Sequence, residues 1–188
     1  VLPAPFSWHR ESPSCTAVLA RSEELKPQLL DMGICEVLLP LTDSPSIEVQ
    51  GNSAAALGNL SSKADDYAPF NAVWDKPAGG LHGYLVRFLE SEDTTFQHIA
   101  VRTLIQLLES GNHELEQHIR DSPHLLDLVR QLQSRIGTFE SEHEQADTST
   151  AADTSGQDVS PEREIAALSR RIEEILFEES DDGTSDAK

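Results

Sequence analysis

Residues 33–60 of this chain recur at an offset of 47 residues, and an internal repeat of that length narrows the folds open to the chain more than any other feature of the sequence. Gly33 matches Gly80, Ile34 matches Leu81, Leu38 matches Leu85, Leu41 matches Phe88, Gln50 matches Gln97, Leu57 matches Leu104 and Leu60 matches Leu107.

Each copy opens with glycine and then places apolar residues at i, i+3, i+4 and i+7: Ile34, Val37, Leu38 and Leu41, or Leu81, Tyr84, Leu85 and Phe88. That spacing is one face of a helix. A polar break follows, with Ser44 before Pro45 in one copy and Ser91 before two acids in the other. Each serine reads as an N-cap and predicts a second helix starting there. Those helices carry Val49, Ala56, Leu57 and Leu60, or Phe96, Thr103, Leu104 and Leu107, on one stripe, and nothing alternates with the period of two that a strand requires. The expectation is an all-α superhelical solenoid, with a period at the edge of the armadillo and HEAT range. One such unit cannot bury its apolar faces alone, so copies must stack.

The domain reading follows from these copies. Residues 1–14, with three prolines, fit no repeat and are expected to be an irregular or non-native edge. Residues 15–136 form the repeats: a partial unit with Cys15–Ala20 and Glu24–Leu30 as the last helix of an earlier repeat, then 33–79, then 80–136 with a C-terminal cap. Large apolar residues nearly vanish over 137–159, which predicts a disordered acidic linker. Residues 160–179 read as an amphipathic helix, with Ser160-Pro161 at its start and Ile165, Leu168, Ile172, Ile175 and Leu176 on its apolar stripe. Having no other place to bury that stripe, it is expected to dock on the repeats, in the groove or against the final helix. Residues 180–188 are expected to be disordered.

The formal net charge of −19, with fifteen acidic against four basic side chains from residue 138 onward, repels phosphate backbones, so nucleic acid is excluded as a partner class and basic peptides are favoured. No apolar run reaches membrane-spanning length. Cys15 and Cys35 read as buried free thiols in helix rather than as a disulfide framework. The histidines of His113-Glu114-Leu115-Glu116-Gln117-His118 are five apart, whereas two zinc ligands on one helical face sit four apart, so a metal site is not expected. His82 and His98 are isolated in helical patterns, and no nucleophile–base motif or phosphate loop is present. No cofactor and no enzymatic activity are expected.

The run Val49-Gln50-Gly51-Asn52-Ser53-Ala54-Ala55-Ala56-Leu57-Gly58-Asn59-Leu60-Ser61 resembles the armadillo signature, which implies an armadillo-type right-handed superhelical solenoid. Trp74-Asp75-Lys76-Pro77, Gly80-Leu81-His82-Gly83-Tyr84-Leu85, Phe88-Leu89, Thr95-Phe96-Gln97-His98-Ile99-Ala100 and Gln106-Leu107-Leu108-Glu109-Ser110 resemble, more narrowly, the C-terminal repeats of the fungal vacuolar armadillo-repeat proteins. That resemblance implies a non-enzymatic adaptor on the cytosolic face of the vacuole membrane. It would be held there by a lipidated N-terminus with no counterpart in this chain. It implies partners such as a nuclear-envelope tether, a myosin adaptor for vacuole inheritance and a regulatory subunit of the autophagy-initiating kinase complex, and roles in nucleus–vacuole contact, vacuole fusion and cytoplasm-to-vacuole targeting. A homo-oligomer stays open. Two rivals remain: a nuclear transport receptor of the importin-alpha type, against which the absence of tryptophan from the groove helices counts, and a HEAT or armadillo regulatory subunit of an enzyme complex.

In the armadillo family the third helix of each repeat lines a groove where an asparagine amide bonds extended peptide backbone. The matching candidates here are Asn52, Asn59, Arg102, Gln106 and Glu109. The alternative for Asn59 is that it caps or packs between helices. Phe70 and Trp74 are candidate partner anchors, against the alternative that they cover a neighbouring helix.

Overall fold

The computed structural model describes residues 8–76, 79–143 and 160–178, with side chains over 14–76, 79–135 and 160–176. Among them are ten α-helices and no strand: α1 (Trp8–Leu19), α2 (Lys26–Asp31), α3 (Ile34–Leu41), α4 (Ile47–Ser61), α5 (Ala68–Ala72), α6 (Gly80–Glu90), α7 (Thr94–Leu108), α8 (His113–Arg120), α9 (Pro123–His143) and α10 (Pro161–Glu178). The fold is an armadillo solenoid.

The helices group as α2–α4, α5–α7 and α8–α10, each a short helix, a second helix and a long third helix. Glu24–Leu30 therefore does not close an earlier repeat. It leads into α2, the first helix of a new one, while α1 alone occupies the place of an earlier third helix and packs along α4. Residues 8–14 are part of α1 rather than an irregular edge, and residues 1–7 lie outside the described residues. At the other end α9 runs on to His143, past the boundary drawn at Ile136. The rest of the acidic linker and residues 179–188 lie outside the described residues.

Both third helices start two residues later than Ser44 and Ser91 suggest, and for the same reason. Ser44 Oγ accepts from Ser46 N at 3.3 Å, and Ser46 is the N-cap, its Oγ accepting from Val49 N at 3.5 Å. In the second copy Ser91 Oγ accepts from Asp93 N at 3.1 Å, and Asp93 caps Thr95 N at 2.8 Å and Phe96 N at 3.3 Å. A serine turn thus precedes each true cap, so the first hydroxyl shapes the approach and the second side chain satisfies the orphan amides. Gln50 Nε2 then donates to Ser44 O at 2.6 Å, and Gln97 Nε2 donates to Ser91 O, which ties each turn to the helix it opens.

The core runs through all three units. Leu38, Leu57, Leu60, Leu81, Leu85, Leu104, Leu107, Leu115, Ile119 and Leu125 are almost completely shielded from water, and on α10 so are Ile165 and Ile172. The amphipathic tail helix therefore docks within the chain, on α7 and α9 together. It lies along α7 as α7 lies along α4 and α4 along α1, and so supplies the third helix of the last repeat. Gly80 is where the backbone needs glycine most. Its φ is +53°, and a Cβ there would run into the carbonyl oxygens of Val73 and Trp74, which already accept from Leu81 N at 3.0 Å and His82 N at 3.2 Å.

Candidate protein-binding face

The third helices α4 and α7 carry four of the seven residues singled out for binding, Asn52, Asn59, Arg102 and Gln106, and the structure shows how the sequence holds them in place. Asn59 is half-buried, and its Nδ2 donates to Ala17 O of α1 at 2.9 Å. Ala17 is near the end of α1, where Arg21 N bonds Val18 O instead, so the amide satisfies a carbonyl that the helix leaves open. Asn52, two turns earlier on the same face, donates from Nδ2 to Ser14 Oγ at 2.6 Å. Both asparagine amides thus tie α4 to the preceding third helix, the alternative raised for Asn59.

The pattern continues one repeat on. Gln106 of α7 accepts at Oε1 from Ser61 Oγ of α4 at 3.0 Å. Glu109, the C-cap of α7, lies 3.8 Å from Arg171 Nε of α10 and His98 of α7 lies 3.2 Å from Glu164. Each junction between neighbouring third helices therefore has polar ties across an apolar contact. Of the five groove candidates only Arg102 is exposed and makes no hydrogen bond or ion pair among the described residues. It is the one cation on α4 and α7.

Phe70 and Trp74 do not sit on this face. Phe70 is completely buried, with its ring 5.9 Å from that of Tyr67, and Trp74 is 3% exposed. Neither offers a free aromatic surface. Trp74 stacks on His118 at a centroid distance of 5.3 Å and an angle of 12°, and meets His82 at 5.8 Å and 44°. That grouping of rings with Asp75, Asp121 and His124 is absent from the pattern of isolated histidines in the sequence. The available signal was the repeat itself, since the 47-residue offset carries Trp74 onto Asp121 and so stacks the two inter-repeat turns.

Between α3 and the α5–α6 region lies a second hollow of about 340 Å³, edged by Glu36, Asp43, Lys76 and Arg87. Its charges are already matched: Lys76 bonds Glu36 at 3.1 Å, while Arg87 lies 3.9 Å from Asp43 and donates to Thr42 Oγ1 at 3.0 Å. Cys15, expected to be buried, is exposed on α1, whereas burial pushes the Cys35 thiol up to about 12, which leaves it protonated and inert. Burial also raises the Tyr84 hydroxyl, fully enclosed beside Thr103. No group of three His, Cys, Asp or Glu side chains among the described residues is placed to hold a metal ion.

Comparison with known proteins agrees with this architecture. The armadillo/beta-catenin-like repeat family matches residues 22–62, the unit formed by α2–α4. Over 135 residues the chain is 58% identical to vacuolar protein 8 of Schizosaccharomyces pombe, covering 72% of this chain and 24% of that protein. The chain is a homologue of vacuolar protein 8. It is 48% identical over 176 residues to the vacuolar protein 8 of Aspergillus oryzae, covering 94% of this chain and 28% of that protein, and 40% identical over 131 residues to that of Saccharomyces cerevisiae, covering 70% and 23%. The chain spans about a quarter of the length of these curated relatives. No helix among the described residues is long and apolar enough to cross a membrane.

Proposed function

We propose that this chain is part of a non-enzymatic adaptor on the cytosolic face of the vacuole membrane, and that the face formed by α4, α7 and α10 holds extended segments of partner proteins. The observation that carries the reading is the run of successive third helices with Arg102 exposed along it. A stack of polar-tied helices is a rigid surface, which keeps the ordering cost of binding on the partner's side. Glu109 follows Arg102 by seven residues, two helical turns, so the face offers both signs of charge to a peptide lying across it.

On this reading Asn52 and Asn59 contribute by spacing the helices, and the partner contacts fall to Arg102, Gln106 and Glu109. Attachment to the membrane through a lipidated N-terminus of the parent protein is part of the same proposal. So are roles in vacuole inheritance, nucleus–vacuole contact, vacuole fusion and autophagy. The support for them is homology to vacuolar protein 8. The test is affinity capture from a vacuole-enriched fungal extract with the chain and with Arg102→Glu. Loss of specific partners from the variant supports the reading. An unchanged set of captured proteins, together with their loss on Val37→Glu at the exposed side of α3, contradicts it.

A further inference from the structure

A cleft of about 320 Å³ opens where the inter-repeat turns stack, away from the third helices. Trp74 and Asp75 come from the turn between α5 and α6, His82 from α6, His118 from α8, Asp121 from the turn into α9, and His124 from the first turn of α9. Trp74 is the floor. His118 covers one of its faces and His82 meets it at an angle, so aromatic rings wall the space on several sides. Asp75 is exposed and makes no ion pair or hydrogen bond among the described residues. Asp121 accepts from Gln117 Nε2 at 3.0 Å through one oxygen, Oδ1.

The lining holds two carboxylates and no lysine or arginine, unlike the hollow beside α3, where every acid has a basic partner. A cleft walled by rings and edged by unneutralised carboxylates repels anions and suits a flat organic cation, because a guanidinium stacks on ring faces while its fork meets carboxylate oxygens. A metal ion does not suit it, since no three donors among the described residues converge. The volume is at the small end of ligand sites, right for one side chain rather than a cofactor. The chain's net charge of −19 favours a basic partner from a distance as well.

We propose that this cleft takes the side chain of an arginine presented by a basic segment of a partner protein. The proposal rests on the adaptor reading only in that the arginine arrives on a protein, and its site shares no residue with the third-helix face. Two sites on different sides would let one partner engage both, raising its affinity through effective concentration rather than through new contacts at either.

The test uses the whole chain and a capped Gly-Ser-Arg-Ser-Gly peptide, with the same peptide carrying citrulline in place of arginine as the uncharged match. Nuclear magnetic resonance follows the Trp74 indole N–H and the ring C–H signals of His82, His118 and His124, with Trp8→Phe to separate the two indoles. The arginine peptide is expected to shift these signals saturably. The citrulline peptide is expected to bind at least about fivefold more weakly, as is the arginine peptide to Asp75→Asn/Asp121→Asn, the effect expected of two solvent-facing carboxylates. Both aspartates are exposed, so circular dichroism should be unchanged in that variant. Equal binding of the two peptides, or undiminished binding to the double variant, would overturn the proposal. Shifts confined to Arg102, Gln106 and their neighbours would also overturn it, while speaking for the third-helix face.

Discussion

Ile172→Ala asks whether α10 is a structural third helix or a loosely held tail. Ile172 is completely buried where α10 packs on α7 and α9, in company with Ile165, Ala166 and Leu176. Truncating a fully enclosed isoleucine removes its transfer free energy and leaves a cavity, a cost of about 2–5 kcal/mol. Because α10 is the last helix of the stack, that loss falls on an element that can open without unfolding the others. The population with α10 undocked should therefore rise by about 30-fold to a few thousandfold. Hydrogen exchange read by mass spectrometry would show it as faster exchange of peptides within 161–178, weaker acceleration in α9 and α7, and unchanged rates in α3 and α4. The polar ties His98–Glu164, Arg130–Glu173 at 3.4 Å and Arg120 Nη1 to Leu176 O at 2.6 Å survive the substitution, so it isolates the apolar contribution. Wild-type rates in α10 would refute the docking argument, and equal acceleration from α3 to α10 would refute the claim that the last repeat opens by itself.

Gly80→Ala should lower the urea midpoint by the equivalent of more than about 2 kcal/mol, since φ is +53° and the new methyl meets two carbonyls, whereas Gly111→Ala, with open space around it, should cost less. Asn59→Ala should destabilise by about 1 kcal/mol in thermal melts by leaving Ala17 O without its partner, and an unchanged melting temperature would mean the amide serves something else. Iodoacetamide at pH 8 should label exposed Cys15 in the native chain and leave Cys35 untouched, because a thiol pushed to about 12 by burial is thiolate in roughly one molecule in ten thousand at that pH. Labelling of both cysteines at similar rates without denaturant would contradict the buried placement.

The repeat made most of the fold legible. A 47-residue offset fixes which helices correspond, and the apolar stripes at Leu57–Leu60 and Leu104–Leu107 mark the faces that the structure buries. Ser44 and Ser91 look like caps because serine before proline or acid usually is one, yet both form the turn that precedes the cap, a distinction set by backbone path. Glu24–Leu30 looked like the end of a repeat because α2 has no strong second copy: α5 and α8 share its place without sharing its residues.

Asn59 shows the limit for the site. Its amide could as well meet a peptide as a neighbouring helix, and only the open carbonyl of Ala17, set by where α1 ends, decides the bond that forms. The cleft around Trp74 depended on residues 40 or more positions apart meeting across a repeat boundary, which local spacing does not encode.

The most direct test of the account is where a bound partner touches the solenoid. A photo-crosslinking p-benzoylphenylalanine would be placed singly at Ala55, which shares a face of α4 with Asn52 and Asn59, at Arg102 on α7, and at Val37, 58% exposed on α3. Irradiation in vacuole-enriched extract is predicted to give adducts with the same partner from positions 55 and 102 and none from 37. Adducts from position 37 alone, or equal yields from all three, would contradict the claim that partners lie along the third helices.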